Sequence, residues 1–150
     1  MGNVLASFSG FDDFLAYLAV SLALLACFVA VYVRVTPHRE LALIREGNLA
    51  ASFSLSGTLL GFIVPLASAI EYSVGLVDMA IWGAIALVVQ VAAFVVVKLL
   101  IPTITDDIAA GKQAQGFFLG ALSLGVGLLN AAARLPWRMS ASSRCGVMRA

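Results

Sequence analysis

Apolar residues run along this chain in four long stretches, and the charged residues fall between them. Residues 14–33, 47–70, 79–97 and 113–133 contain no Asp, Glu, Lys or Arg. A hydrocarbon core about 30 Å thick takes about 20 helical residues at a rise of 1.5 Å each, and all four stretches fit that length. The alternative, buried helices of a soluble bundle, needs a polar outer face that these stretches lack. The pattern predicts an all-α membrane protein with four transmembrane helices.

Composition strengthens that reading. Of the residues 62% are hydrophobic and 11% charged, with a mean hydropathy of +1.04. Soluble domains carry about 25% charged residues, because they need a solvated surface. The net charge of +1 gives no footprint for nucleic acid. Cys27 and Cys145 are too few for a disulfide framework, and no metal-ligand spacing surrounds either. The first stretch lacks the basic region of a signal peptide, since no Lys or Arg precedes Arg34. Leu24-Leu25-Ala26-Cys27 has the look of a lipoprotein cleavage box, but Asp12 and Asp13 precede it and the apolar run continues to Val33. Cys27 is expected to be a small lipid-buried or helix-packed residue.

The two halves of the chain correspond. A shift of 64 residues lays Gly47 on Gly111, Ala50 on Ala114, Phe53 on Phe117, Leu60 on Leu124 and Gly61 on Gly125. Ahead of these, a shift of 65 lays Tyr17 on Trp82, Leu22 on Leu87 and Pro37 on Pro102. The offset changes in the connecting loop, where a length difference costs least. Each half reads as apolar helix, Pro-containing connector, Gly, apolar helix. Two helices per unit make both copies cross the membrane in the same sense, so the expected architecture is two parallel helix-hairpin repeats. The boundaries are 1–13 for an N-terminal segment, 14–70 for the first repeat, 71–78 for an outer loop, 79–134 for the second repeat and 135–150 for a tail. The tail has no periodicity and is expected to be disordered.

Both connectors are expected to be structured. Thr36 and Pro37 open the first, whose Leu41 and Ile44 alternate with Arg39, Arg45 and Glu46 before Gly47 stops it. Glu40 comes one position too late for a full capping box. In the second connector Thr103 with Asp106 makes a capping box and Gly111 ends the turn. The connectors hold Arg34, Arg39, Arg45, Lys98 and Lys112, whereas the N-terminal segment and residues 71–78 hold only Asp12, Asp13, Glu71 and Asp78. The positive-inside rule then places the connectors in the cytoplasm and both termini in the periplasm, against the pull of Arg134, Arg138, Arg144 and Arg149 in the tail.

Small residues four apart mark a helix-packing seam: Ser52, Ser56, Gly57 and Gly61 on the second span, Gly116, Gly120 and Gly125 on the fourth. In lipid, where apolar surface gains little by leaving one apolar medium for another, close backbone approach drives helix association. The competing explanation is that small residues are common in membrane helices. Gln90 is the deepest strongly polar side chain and needs an interhelical partner. Glu71 and Asn130, nearer helix ends, can snorkel to water. Their sharper reading, with Gln90, is an ion or polar site. Pro65 frees the carbonyl of Gly61 and bends the second span, a device of ligand sites and of packing alike. His38 is the only histidine and is expected to be solvated at the interface. No zinc set, Ser-His-Asp arrangement or phosphate loop is credible, so no enzyme, metal or cofactor is expected.

The stretch Thr36-Pro37-His38-Arg39-Glu40-Leu41-Ala42-Leu43-Ile44-Arg45-Glu46-Gly47-Asn48-Leu49-Ala50-Ala51, with Gly61 through Ile70 and Ser123 through Asn130, resembles a bacterial inner-membrane family catalogued as a domain of unknown function, number three hundred and fifty. The likeness covers roughly residues 14–133. It implies a four-helix inner-membrane protein with a duplicated two-helix unit, and a gene setting near envelope-stress proteins or ligase-like enzymes, but no active site. The Arg-bearing tail has no counterpart in that pattern.

Two functions remain in view. One is a structural or partner-binding membrane subunit, homo-oligomeric or joined to another membrane protein through the seam and the connectors. The other is a small proton or cation channel or transporter formed by an oligomer, using Glu71, Asn130 and Gln90. The sparse polar content of the helices favours the first, because a water-filled path needs more lining groups. An enzyme acting on lipid is a distant third for want of a nucleophile–base pair.

Overall fold

The computed structural model describes residues 10–36 and 40–134. Pro37, His38, Arg39 and the segment from Leu135 onward, including the expected disorder of the tail, lie outside the described residues. Six helices follow one another: α1 (Phe11–Val35), α2 (Glu40–Arg45), α3 (Leu49–Tyr72), α4 (Leu76–Leu100), α5 (Ile104–Ala109) and α6 (Gln113–Ala133). There is no strand among the described residues. The four long helices are each long and apolar enough to cross a membrane. Charges at the ends of two of them suit the helix dipole, with Asp12 and Asp13 opening α1 and Arg34 closing it, and with Asp78 opening α4 and Lys98 closing it.

The core is built on α3. Half of its apolar stretch is buried against other helices (50%), compared with 11% for α1. Helix α6 lies along α3 at backbone contact, with α4 against both and α1 outermost. Phe28 of α1 stacks on Phe62 of α3 with ring centroids 4.5 Å apart, and Tyr32 meets the edge of Phe94 on α4 at 5.6 Å. Farther along α1, Leu24 fills the space left by Gly83 of α4. The outer face of α1, from Leu22 to Val33, and that of α4, around Val88 and Val96, expose large apolar side chains. In a bilayer those faces contact acyl chains.

The short helices α2 and α5 occupy matching places before Gly47 and Gly111, whose φ angles are +86° and +82°. Only glycine adopts that conformation freely. Each turn closes with the same backbone bonds. Gly47 N–H reaches Ile44 and Asn48 N–H reaches Leu43; Gly111 N–H reaches Ile108 and Lys112 N–H reaches Asp107. These bonds satisfy carbonyls left over at a helix C-terminus.

One capping expectation is corrected. Thr103 makes no side-chain cap at α5 and sits in helical conformation at φ −83°, ψ −3°. An N-cap needs extended backbone to swing its oxygen back over the first turn. The Thr103 hydroxyl instead donates to Asp107 Oδ2 at 3.1 Å. The cap appears at α3, where Asn48 Oδ1 accepts from Ala51 N–H at 3.1 Å. Asn48 Nδ2 also donates to the carbonyls of Ile108 and Ala109, each at 3.1 Å. One side chain thus caps α3 and ties the two connectors together at one end of the bundle.

Candidate functional site

Helices α3 and α6 meet along backbone. A Cβ on Gly57 would overlap the main chain of Gly120, and one on Gly116 would overlap the carbonyl of Ala50. A Cβ on Gly120 would strike the carbonyl of Phe53, and one on Gly127 the carbonyl of Gly61. The last contact involves the carbonyl that Pro65 affects within an unbroken α3. Proline leaves the carbonyl four residues earlier without its helical N–H, and that carbonyl, of Gly61, is covered by Gly127 at the interface. Phe53 and Phe117 meet edge to face at 6.1 Å at one margin of the contact.

The sequence expectation of the seam is corrected at Gly125 and Ser56. Nothing lies within 4 Å of a Cβ on Gly125, and Ser56 is exposed. Ser52 turns its hydroxyl back to the Asn48 carbonyl at 3.2 Å. A helix turns every 3.6 residues, so a strict spacing of four drifts off one face. The residues of α6 that touch α3 step from Gly116 to Gly120, Ser123 and Gly127, alternating four and three. Gly127, missed in the sequence, continues that row.

A polar thread runs beside the seam. Tyr32 on α1 donates to Glu40 Oε1 at 3.1 Å and shares a hydrogen bond with Ser54 Oγ on α3 at 3.2 Å. One turn farther along α3, Thr58 donates to the Ser54 carbonyl at 2.8 Å and approaches Ser123 Oγ of α6 at 3.4 Å. Gln90 of α4 donates from Nε2 to the Ser123 carbonyl at 3.1 Å. Every group in the thread is buried, from Glu40 at 5% exposure to Ser54 at zero. Since a polar group in lipid needs a protein partner, the thread knits all four long helices together.

Gln90, Glu71 and Asn130 do not converge. Gln90 faces Gly61 and Ser123. These lie ten and seven residues before Glu71 and Asn130, about 15 and 10 Å along the helices at 1.5 Å per residue. Glu71 is exposed and Asn130 half-buried. Of the connector residues singled out in the sequence, Arg45, Glu46 and Gly47 are exposed, while Pro37 and Arg39 are not described. Cys27 is exposed on the outer side of α1.

The opposite end of the bundle is closed by a latch that sequence reasoning passed over. Arg134 is 9% exposed although it follows the last turn of α6. Its Nη1 donates to the Ser68 carbonyl at 3.1 Å, its Nη2 lies 3.5 Å from Asp78 Oδ2, and its guanidinium carbon sits 4.7 Å over the Trp82 ring. Trp82 Nε1 in turn donates to Asp78 Oδ1 at 3.1 Å. The sequence carried a signal for this pair, because an acid opens the third charge-free stretch and a base closes the fourth at the same end. On the connector side Asp107 accepts from Lys112 Nζ at 2.6 Å, and the ammonium holds its carboxyl below the usual range, helped by the Thr103 hydroxyl. Among the described residues no group of three or more His, Cys, Asp or Glu could hold a metal ion.

Comparison with known proteins places this architecture. UPF0719 inner membrane protein YjfL of Escherichia coli strain K12 is 41% identical over 119 residues, covering 79% of this chain and 90% of that protein. UPF0719 transmembrane protein YshE of Bacillus subtilis strain 168 is 28% identical over 119 residues, covering 78% and 89%. No solved structure matches. The family described as Domain of Unknown Function (DUF350) matches residues 5–134. With four apolar helices spanning that match, the chain is a multi-pass membrane protein and belongs to this family.

Proposed function

We propose that the chain is a structural, partner-binding subunit of the bacterial inner membrane, with no enzymatic activity of its own. The observation that carries this reading is the closure of the polar thread within one copy. Ser54, Thr58, Gln90 and Ser123 are each at most 2% exposed; Thr58 bonds within α3 to the Ser54 carbonyl, and Thr58 and Gln90 bond across the helices to Ser123. Groups engaged in this way stabilise a fixed bundle, whereas groups lining a conduit face water. The apolar outer faces of α1 and α4 are then free to meet a second copy or another membrane protein. The inner-membrane setting is supported by the names of the relatives.

Within this reading the chain is a duplication, two parallel helix-hairpin units with connectors in the cytoplasm and both termini in the periplasm. The matching of α2 with α5 and of the two glycine turns, each 64 residues apart, supports the duplication. The basic residues of the connectors support the orientation. Photo-crosslinking from Val88 and Leu22 in native membranes tests the subunit reading. A discrete crosslinked species of one stoichiometry is expected from at least one face. A strictly monomeric protein by crosslinking and by native mass spectrometry overturns it.

A second reading, proton or cation conduction by an oligomer, is favoured by one observation. The hydroxyls of Tyr32, Ser54, Thr58 and Ser123 follow one another from the connector end toward the middle of the bundle.

A further inference from the structure

We propose that Glu40, held by Tyr32 and through it linked to Ser54, is a proton-binding site on the connector side of the membrane. The site is independent of the choice between subunit and conduit, because it rests on a buried carboxyl group and the hydroxyl that bonds it.

Glu40 is 5% exposed, on a short helix laid against α3. Burial disfavours the ionised form of a carboxyl group, and donated hydrogen bonds favour it. The donor here is a phenol, which has a single proton. When that proton goes to Glu40 Oε1, the bond between Tyr32 and Ser54 must run from the serine to the tyrosine. Both hydroxyl protons then point toward the carboxylate. When Glu40 is protonated, the same three groups serve in reverse: the carboxyl donates to Tyr32 and Tyr32 donates to Ser54. Within this relay the three side chains keep their heavy atoms in place. A carboxylate held only by guanidinium or backbone N–H groups has no such alternative, because those donors cannot accept.

The surroundings are sparse in charge on the long helices. Arg34 is exposed in the last turn of α1, Lys98 is half-buried in the last turn of α4, and α3 carries Glu71 and Tyr72 at its other end. On the connectors Arg45 and Glu46 are exposed next to α2, Asp106 is exposed, and Asp107 is paired with Lys112. His38 and Arg39 adjoin Glu40 in sequence. Ser54 lies five residues into α3, about 7 Å from its start, so the site reaches from the connector roughly a turn and a half into the bundle. A proton arriving there has a short path from the aqueous side and a hydroxyl chain beyond it.

The test uses the full chain in lipid nanodiscs and dicyclohexylcarbodiimide, an apolar reagent that reacts with protonated carboxyl groups. The carboxyl proton passes to a carbodiimide nitrogen as the carboxyl oxygen bonds to the central carbon. The adduct then rearranges to a stable acylurea. Trypsin cleaves after Arg39 and Arg45, so a peptide of residues 40–45 isolates Glu40 as its only acid. Mass spectrometry therefore reads the site directly. Labelling of that peptide is expected to rise along a single titration as pH falls from 9 to 5. Tyr32→Phe removes a donor to the ionised form and is expected to move the midpoint upward by about one pH unit. Glu40→Gln removes the label. Labelling that is absent or flat across this range in folded wild-type protein, or a midpoint unmoved in Tyr32→Phe, overturns the proposal. Because the peptide is mapped in wild-type protein, a failure of either variant to fold leaves the titration decisive.

Discussion

A single methyl group placed at Gly57 should prise α3 from α6. The Cβ of Gly57→Ala would overlap the Cα, carbonyl carbon and carbonyl oxygen of Gly120. All three are main-chain atoms, so no rotamer change relieves the clash and the helices must separate. A gap of about 1 Å forfeits up to roughly half of each atom-pair attraction of about 0.1–0.2 kcal/mol. Over roughly 40 such pairs along the seam, the loss is about 2–4 kcal/mol. Alanine returns up to about 1 kcal/mol through its better helix propensity. The net destabilisation is then about 1–3 kcal/mol, without any loss in the hydrogen bond of Gln90 to Ser123. Gly125→Ala is the matched control, since open space surrounds its position. It should be neutral or stabilised by up to about 1 kcal/mol. The assay is unfolding of purified protein by sodium dodecyl sulfate in lipid micelles, followed by circular dichroism. Equal midpoints for Gly57→Ala and Gly125→Ala would refute the account of the seam.

Three further outcomes follow from other contacts. Arg134→Lys keeps the charge near Asp78 but loses the planar face over Trp82. In a Trp137→Phe background its fluorescence should shift to the red, with stability lowered by about 1–2 kcal/mol; an unchanged spectrum would argue against the latch. Asn48→Ala removes the α3 cap and both ties to α5, and should cost about 1–2 kcal/mol, whereas Asn48→Asp should retain the cap alone and fall between. Asp107 titrates below its ordinary value because Lys112 favours its ionised form. Its folded pKa being depressed, the contribution is complete above the unfolded value of about 3.9 and is lost as pH falls through the folded one. Lys112→Ala should bring the Asp107 midpoint, followed by nuclear magnetic resonance, back toward ordinary carboxylates; a midpoint that stays low would assign the shift to Thr103 instead.

The spans were legible in the sequence because lipid imposes a length and forbids charge, and both demands show in one dimension. The two connector turns were legible for a related reason, since Gly47 and Gly111 stand where a positive φ ends a short helix. The faces were harder to read. Lipid and a protein core are equally apolar, so the outward Val88 and the inward Phe94 look alike in sequence. Small residues are the remaining guide, and a strict spacing of four carried the expected seam past Gly127 to Gly125. Glu40 presented itself as a capping residue one position late. That it turns inward to Tyr32 depends on how α2 folds back onto α3, a tertiary contact without a local mark. Arg134 stood at the start of a basic tail, and its burial against Trp82 required the ends of α4 and α6 to be neighbours.

The measurement that bears most directly on the central claim is ion flux into proteoliposomes containing the purified protein, with Glu71→Gln and Gln90→Leu beside it. Closure of the polar thread within each copy predicts no proton or cation flux above empty liposomes while circular dichroism shows the helices intact. Flux from the wild-type protein that falls in either variant would contradict the subunit reading and assign a conducting path to the group whose loss abolished it.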